Sequence, residues 1–349
     1  MAEAASTVSG GSFALATEGL AKRFGRQVAL DGLDLRVPTG VVYGFLGPNG
    51  AGKTTTMRIL TGLVRPDAGR VELLGRPFGR GDRRRLFDVG ALIEGPAFYP
   101  FLSGRENLRA LAATGAPTSR TRVEDLLGLV NLADRAGDKV SGYSLGMKQR
   151  LGIAAALLSD PKLLLLDEPA NGLDPAGIAG MRDTLRALAA TGTTVFVSSH
   201  ILSEIQQLAD VVGIIARGRL VREGPVEDLL RAAGTVRVRV DGTEVAAAGG
   251  ILEVAAGPGT VAADHGPEAG WLTVRVDPAR SAELNRALAS GGIFASRVEV
   301  GTTLEALFLE LTGTHPDVGS GGPEARGPGA GGPGAAPSTG TGTVPGWPS

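Results

Sequence analysis

A glycine-rich stretch, GPNGAGKTT at Gly47–Thr55, constrains the fold of this chain more than any other part of the sequence. It satisfies every fixed position of G-x-x-x-x-G-K-[ST], a pattern that binds the phosphates of a nucleotide. The apolar run Val41–Leu46 before it predicts a buried strand, and Thr54–Leu63 after it predicts a helix. Because a strand, this loop and a helix are the context that the motif requires, the sequence predicts a nucleotide-binding α/β domain.

The residues of this phosphate loop are suited to holding a triphosphate. Its glycines allow a tight turn, so that backbone N–H groups and the positive end of the helix converge on the β-phosphate. Lys53 adds a charge near the β- and γ-phosphates, and the Thr54 hydroxyl is placed to ligate a bridging Mg²⁺ ion. The predicted nucleotide-binding residues here are Gly47, Asn49, Gly50, Gly52, Lys53, Thr54 and Thr55.

Two further buried strands are predicted to end in side chains suited to phosphate chemistry. A leucine run delivers Asp167 and Glu168 at its C-terminal end, and a strand within Thr193–Ile205 ends in His200. Ligands of open α/β sheets bind at that end of the strands. Asp167 can hold the Mg²⁺ ion, and Glu168 can polarise the attacking water as a general base. His200 is expected to contact the γ-phosphate, although a lone histidine is more often an ordinary surface or core residue.

Two groups of aromatic residues are candidates for contacts with ligands or partners. Phe24 lies about one strand upstream of the phosphate loop and can stack on an adenine; the alternative is an ordinary core aromatic. Phe98, Tyr99 and Phe101 stand on a proline-constrained loop, where they predict either a partner-docking patch or local core packing.

A largely helical stretch interrupts the α/β pattern. Ser103 followed by Glu106 is a capping box that predicts a helix beginning at the next residue after Ser103. Helical periodicity continues through Arg105–Ala133, so we expect an inserted helical subdomain at about 96–160. Within it, Ser144 to Gly146 begin another helix whose free N–H groups form a second anion-binding site.

Composition excludes several functional classes. The 349 residues carry 35 basic and 36 acidic side chains, so we expect no general affinity for nucleic acid. No cysteine is present, which excludes disulfides and thiolate metal sites. The apolar runs are too short to cross a bilayer, and the N-terminus lacks the pattern of a signal peptide, so we expect an intracellular protein.

Taken together, these motifs resemble the nucleotide-binding subunit of an ABC transporter over about Leu20 to Gly224. His200 matches the switch histidine of that family. The other matching motifs are the phosphate loop (Walker A), YSLGMKQ at Tyr143–Gln149 (signature), LLLLDEP (Walker B) and GLDP at Gly172–Pro175 (D-loop, with Asp174).

The chain departs from the family pattern in two motifs. The signature usually reads Leu-Ser-Gly-Gly-Gln; three of its residues are replaced here, whereas Ser144 and Gly146, which supply phosphate contacts, are retained. The family's Q-loop glutamine appears as Glu94, which can still ligate Mg²⁺ or relay a movement but adds a negative charge near the triphosphate. These two features resemble the bacitracin and lantibiotic branch of drug exporters.

The resemblance implies that the chain hydrolyses ATP with Mg²⁺ and powers transport by a partner. Two copies would form a head-to-tail dimer that sandwiches two ATP molecules, with the signature helix of one closing on the phosphate loop of the other. A separate multispanning permease would hold the dimer at the cytoplasmic face of the membrane and export a drug, antibiotic or peptide. The aromatic loop at Phe98–Phe101 would pass the motion to that permease.

Two alternatives belong to other functional classes. A soluble ABC-type ATPase acting on ribosomes would carry two phosphate loops, and one acting on chromosomes a long coiled coil; this sequence has neither. A non-hydrolysing nucleotide-binding module would have a damaged site, yet the residues expected to act in hydrolysis are all present: Lys53, Asp167, Glu168 and His200.

The expected domain organisation has four parts. A disordered leader at 1–12 precedes the nucleotide-binding domain at 13–233, which opens with antiparallel strands and turns near Phe24–Gly25 and Asp31–Gly32. Strand and helix patterns at 234–312 predict a small α+β accessory domain of ferredoxin-like type, with Trp271 in its core and a closing helix at its end. The Gly- and Pro-rich stretch 313–349 is expected to be disordered.

Overall fold

The computed structural model of the chain describes residues 12–79, 81–95, 97–114, 119, 121–232, 234–263 and 270–301, together with 304, 307, 308 and 311. The chain divides into two units, Met1–Pro316 and Asp317–Ser349, and every described residue lies in the first. The predictions for the leader before Ser12 and for the stretch 313–349 lie outside the described residues.

The described elements form a larger domain and an accessory domain. In chain order, the larger domain contains β1 (Phe13–Phe24), β2 (Gln27–Pro38), β3 (Val42–Leu46), α1 (Lys53–Leu60), β4 (Ala68–Leu73), β5 (Arg76–Phe78), β6 (Val89–Leu92), α2 (Gly104–Ala112), α3 (Arg122–Leu129), α4 (Leu145–Ala156), β7 (Leu163–Asp167), α5 (Pro175–Ala190), β8 (Thr194–Ser199), α6 (Leu202–Leu208), β9 (Val211–Ala216), β10 (Arg219–Pro225) and α7 (Val226–Ala232). The accessory domain contains β11 (Thr235–Arg239), α8 (Val245–Ala256), β12 (Val261–Ala263), β13 (Trp271–Arg275), α9 (Ser281–Ser290) and β14 (Arg297–Gly301).

Six strands form the central sheet of the larger domain, in the order β10-β9-β3-β8-β7-β6. The strands from β9 to β6 run parallel, and β10 pairs antiparallel with β9. Every residue of β3, β7 and β8 is buried, as expected for parallel strands covered on both faces. Because parallel strands share one C-terminal edge, the residues that follow β3, β6, β7 and β8 emerge at the same edge of the sheet.

A second, antiparallel sheet is built from β1, β2, β4 and β5 in the order β2-β1-β4-β5. The predicted turn after Phe24 is confirmed, because β1 and β2 form a hairpin there. The predicted turn at Asp31–Gly32 is wrong, since both residues lie inside β2. Gly32 has φ 74° and stands where the pairing register with β1 shifts, so the glycine serves a β-bulge rather than a chain reversal.

The helical segment begins as the sequence predicts. Ser103 caps α2, its hydroxyl accepts from the Glu106 amide, and the Glu106 carboxylate accepts from the Ser103 amide. Helices α3 and α4 follow, and residues 115–118 between α2 and α3 lie outside the described residues. Buried residues of α2, α3 and α4 join the same apolar cluster as the central sheet, which attaches the helical segment to the α/β core.

The accessory domain has the ferredoxin-like topology that the sequence predicts. Its elements follow the order β-α-β-β-α-β, and its antiparallel sheet has the strand order β12-β13-β11-β14. Trp271 is buried at the start of β13. Helix α8 and strand β12 are not among the elements predicted from the sequence. Helix α8 carries two adjacent glycines at 249–250 and little amphipathic pattern.

Candidate functional site

The backbone of the phosphate loop requires glycine at two positions. A Cβ atom at Gly47 would lie 2.5 Å from the Ile215 carbonyl oxygen, and one at Gly52 would lie 2.6 Å from the Ala29 carbonyl oxygen. Gly52 also has φ 113°, which disfavours other residues. It caps α1 without a side-chain hydrogen bond, so no side chain competes for the amides at the positive end of this helix. This arrangement is suited to binding an anion.

Lys53 links the phosphate loop to the edge of the sheet. Its side chain is 6% exposed, and its ammonium donates to the Gly47 carbonyl at 2.7 Å and the Pro48 carbonyl at 3.4 Å. The same Nζ lies 3.3 Å from Oε1 of Glu168. The lysine predicted to contact phosphate and the predicted general base therefore form an ion pair.

Glu168 also contacts the predicted switch histidine. Its Oε2 lies 2.8 Å from Nδ1 of His200 and accepts from the His200 amide at 3.3 Å. Glu168 follows β7 in the left-handed region, with φ 49°, a conformation that non-glycine residues adopt mainly where the surrounding structure enforces it. Three residues that lie far apart in the sequence, Lys53, Glu168 and His200, thus form one continuous ionic and hydrogen-bonded chain.

Ser198 connects the two acidic residues Asp167 and Glu168. It is not among the site residues predicted from the sequence. Its hydroxyl donates to Oδ1 of Asp167 at 2.5 Å and accepts from the Glu168 amide at 3.0 Å. Asp167 is 4% exposed, so this hydrogen bond satisfies a buried carboxylate. The available sequence signal was a hydroxyl at the C-terminal end of a buried strand, two residues before His200.

Glu94 lies at the same edge but contacts a different partner. It follows β6 with φ 70°, and its carboxylate forms an ion pair with Arg58 in the last turn of α1. The side chain is 60% exposed. Of the residues predicted to contact Mg²⁺, Asp167 accepts from the Ser198 hydroxyl, whereas Glu94 pairs with Arg58.

The carboxyl group of Glu204 on α6 is close enough to His200 and Glu168 for their charges to affect its pKa. Burial raises the pKa of its carboxyl; the neighbouring His200 opposes this shift and the Glu168 carboxylate adds to it. Glu204 also lines a cavity of about 200 Å³ between α5 and α6.

Phe24 stands at the end of the β1–β2 hairpin. Its side chain is 47% exposed, and the Lys22 ammonium lies 5.4 Å from the ring centre. This exposure differs from that of a core aromatic and leaves the ring accessible to a planar ligand.

The signature residues and the D-loop lie side by side within the chain. Ser144 caps α4 and accepts from the Met147 amide at 3.2 Å, and Asp174 caps α5 and accepts from the Gly177 amide at 3.0 Å. A Cβ atom at Gly146 would lie 3.0 Å from the Leu173 side chain. Among the described residues, no hydrogen bond or ion pair joins Ser144 or Asp174 to the phosphate loop.

The aromatic loop divides between the two predicted roles. Phe98 packs against the core, whereas Tyr99 and Phe101 are 57% and 64% exposed, with ring centroids 5.7 Å apart. The side-chain amide of Asn107 holds the loop: its Nδ2 donates to the backbone carbonyl of Tyr99, and its Oδ1 accepts from the backbone N–H of Tyr99. Beside it lies a cleft of about 420 Å³, lined by apolar residues that include Phe87, Phe98 and Leu111.

This fold and site define a phosphate-loop nucleotide-binding protein of the α/β class. A family model described as ABC transporter matches residues 30–171. A bacitracin transport ATP-binding protein of Enterococcus faecalis is 40% identical over 305 residues, which cover 86% of this chain and 97% of the relative. A lantibiotic transport ATP-binding protein of Streptococcus pyogenes is 43% identical over 209 residues, 60% of this chain and 90% of the relative. The chain belongs to the family of ABC transporter ATP-binding proteins.

A solved structure supports the same assignment. An ATP-binding subunit of an ABC transporter matches with a TM-score of 0.57 and 30% identity, over 62% of this chain and 92% of that one. The relatives named for bacitracin and lantibiotic transport confirm the predicted resemblance to that branch. The chain is an ATPase of the ABC family, whose transporter subunits pair with membrane permeases. Within the described ranges, no helix is both long and apolar enough to cross a membrane.

Proposed function

We propose that this chain binds and hydrolyses ATP to power a separate permease that exports a drug, antibiotic or peptide. The observation that carries this proposal is the chain of contacts from Lys53 through Glu168 to His200 at the C-terminal edge of the sheet. A permanently non-hydrolysing module would have no need for a carboxylate held between a phosphate-binding lysine and a histidine. The relatives named for bacitracin and lantibiotic transport favour an antibiotic or peptide as the substrate.

ATP binding would rearrange the contacts of Lys53 first. The β- and γ-phosphates carry more negative charge than the Glu168 carboxylate, so the Lys53 ammonium would move from Glu168 to them. Glu168 would then be free to accept the proton of the attacking water. His200, which contacts Glu168 through Nδ1, would orient the carboxylate and bind the γ-phosphate.

Mg²⁺ would be held by the Thr54 hydroxyl and the Asp167 carboxylate, with Glu94 as a third contact. Oxygen ligands of this kind suit Mg²⁺, which is usually bound by one or two carboxylates together with substrate phosphates and water. When bound, Mg²⁺ neutralises charge on the phosphates.

We infer a head-to-tail homodimer as the working unit. Among the described residues, no hydrogen bond joins Ser144 or Gly146 to the phosphate loop of their own chain, and Leu145 beside them is exposed. In the dimer, the N-terminus of α4 of one copy would face the phosphate loop of the other copy. It would then contact the γ-phosphate of the ATP bound there. Phe24 would stack on the adenine, and Asp174 would lie near the contact between the copies.

The permease would dock at the cleft beside the aromatic loop. Tyr99 and Phe101 are exposed there, and Glu94 and its neighbours connect the cleft to α1 through Arg58. Exposed aromatics of this kind are typical of interface anchors. Docking to a permease would hold the chain at the cytoplasmic face of the membrane.

Site-specific cross-linking tests this proposal. Because the chain has no cysteine, Phe101→Cys introduces a single reactive site, and Phe294→Cys in the accessory domain is a matched control at another exposed phenylalanine. Each tagged variant is treated with a photoactivatable thiol reagent in its own membranes with ATP, and the adducts are identified by mass spectrometry. We expect a multispanning protein from Phe101→Cys alone. Adducts with ribosomal or chromosomal proteins, or recovery only from the soluble fraction, would contradict the proposal.

A further inference from the structure

The residues that close the described chain are buried in the larger domain rather than in the accessory domain that precedes them. Leu304, Leu307 and Phe308 are 0%, 8% and 2% exposed. They belong to the same apolar cluster as Leu202 and Ile205 of α6. The separate apolar cluster of the accessory domain includes none of them. We call Leu304, Leu307, Phe308 and the partly buried Leu311 the closing segment.

A hydrogen bond also joins the closing segment to α6. The amide of Leu304 donates to Oε1 of Gln206 at 3.0 Å. Gln206 lies in the middle of α6, between the buried Ile205 and the exposed Gln207. The closing segment therefore shares an apolar cluster with α6 and is joined to it by a directional polar contact.

Helix α6 depends on such support. It spans only Leu202–Leu208, and a helix of this length is marginal without tertiary packing. It begins two residues after His200, whose Nδ1 contacts Glu168. A shift of α6 would consequently move His200 relative to the carboxylate.

We propose that the closing segment positions His200 for ATP hydrolysis by holding α6 in place. The proposal rests on the role of His200 in the proposed function. The members of the closing segment are positioning residues, because they act on His200 through α6. The accessory domain is then an insertion between α7 and the closing segment, tied to the larger domain at both ends. A partner that displaces the accessory domain would change ATP turnover through α6.

Steady-state ATPase assays on the full chain test the proposal with two variants and a control. Leu304→Ala removes buried packing and Gln206→Ala removes the acceptor of the Leu304 amide; Leu288→Ala, a fully buried leucine of the accessory core, is the control. Because a small misplacement of a group at the reacting centre is costly, we expect kcat per ATP-binding site to fall about fivefold to tenfold in the first two variants. The KM for ATP should change by less than about twofold, and Leu288→Ala should keep the wild-type kcat. If Leu304→Ala does not fold, Gln206→Ala alone decides.

Histidine NMR supplies a signal that a general loss of stability would not produce. The chain has three histidines, and the ring resonances of His200 are assigned by their loss in His200→Ala. We expect Gln206→Ala and Leu304→Ala to shift these resonances and Leu288→Ala to leave them in place. Unshifted His200 resonances, or an equal loss of kcat in Leu288→Ala, would overturn the proposal. Wild-type turnover in His200→Ala would instead remove the role of His200 in hydrolysis, whatever the closing segment does.

Discussion

The central sheet of the larger domain and the sheet of the accessory domain are put to different uses. In the larger domain, β3, β7 and β8 are buried along their whole length and run parallel, so their C-terminal ends converge on the phosphate loop, Glu168 and His200. In the accessory domain, the antiparallel strands β11 and β13 alternate between buried valines or leucines and more exposed residues such as Arg237 and Arg239. Residues suited to catalysis meet where parallel strands end at the same edge of a sheet, whereas an antiparallel sheet covered on one face exposes its other face to solvent.

The largest expected effect tests whether catalysis is confined to the larger domain. Glu168→Gln removes the proposed general base and should lower ATP turnover by at least ~10²-fold while ATP binding is retained. The same chemical change at the exposed Glu253 of α8 should have no effect. Steady-state phosphate release and equilibrium nucleotide binding measure both variants. Wild-type turnover in Glu168→Gln would break the comparison.

The next effect concerns the hydroxyl that joins the two acidic residues. Ser198→Ala leaves Asp167 without one hydrogen bond and the Glu168 amide without one acceptor. Because a buried group that loses its partner retains its desolvation penalty, we expect the free energy of unfolding to fall by about 1–3 kcal/mol.

Turnover of Ser198→Ala should fall by roughly tenfold, since general-base catalysis depends on the placement of the carboxylate. Ser296→Ala is the matched control, because the Ser296 hydroxyl donates to a backbone carbonyl on the exposed surface of the accessory domain. Denaturant titration measures the stability of both variants, and ATPase assays measure their turnover. Equal losses of turnover in Ser198→Ala and Ser296→Ala would contradict a specific role of Ser198 in the site.

A smaller effect is expected at the exposed ion pair between Arg58 and Glu94. Because such pairs contribute little, Arg58→Ala should change the free energy of unfolding by less than about 1 kcal/mol. If Glu94 only relays motion to the permease, Glu94→Gln should leave transport and ATPase activity largely intact. Transport assays beside ATPase assays separate the two roles; abolished ATPase activity in Glu94→Gln would show that its carboxylate is required at the nucleotide.

The smallest effect is a difference in pH dependence between one glutamate in each domain. Burial raises the pKa of Glu204, so the folded state binds more protons than the unfolded state, and its contribution to stability is lost as pH rises through the raised pKa. A hydrogen bond from Arg280 lowers the pKa of Glu283, so its contribution is present above the unfolded pKa and is lost as pH falls. Unfolding midpoints of Glu204→Gln and Glu283→Gln, measured from acid to neutral pH against the wild type, should therefore diverge in opposite directions. If the unfolding midpoints of both variants kept a constant difference from the wild type at every pH, the opposite pKa shifts of Glu204 and Glu283 would be contradicted.

Local sequence signals predicted much of the fold because each acts over a short stretch of chain. The capping box at Ser103 and Glu106 needs one helical turn, and it is present as predicted. The signal at Asp31–Gly32 was equally local but ambiguous, since a glycine with positive φ serves a bulge as well as a turn. Helix α8 was not predicted because its buried residues, Ala248 and Leu252, lie among alanines and glycines, so its two faces differ little in polarity.

The family, the phosphate loop and the order of most elements could be predicted, because they depend on spacings within single strands, loops and helices. The folded structure was needed to show that Ser198 bridges Asp167 and Glu168 and that Glu94 pairs with Arg58. It alone places the closing segment against α6 rather than within the accessory core. These contacts join residues far apart in the chain, and many alternative pairings satisfy the same local patterns, so they arise only when the whole core packs.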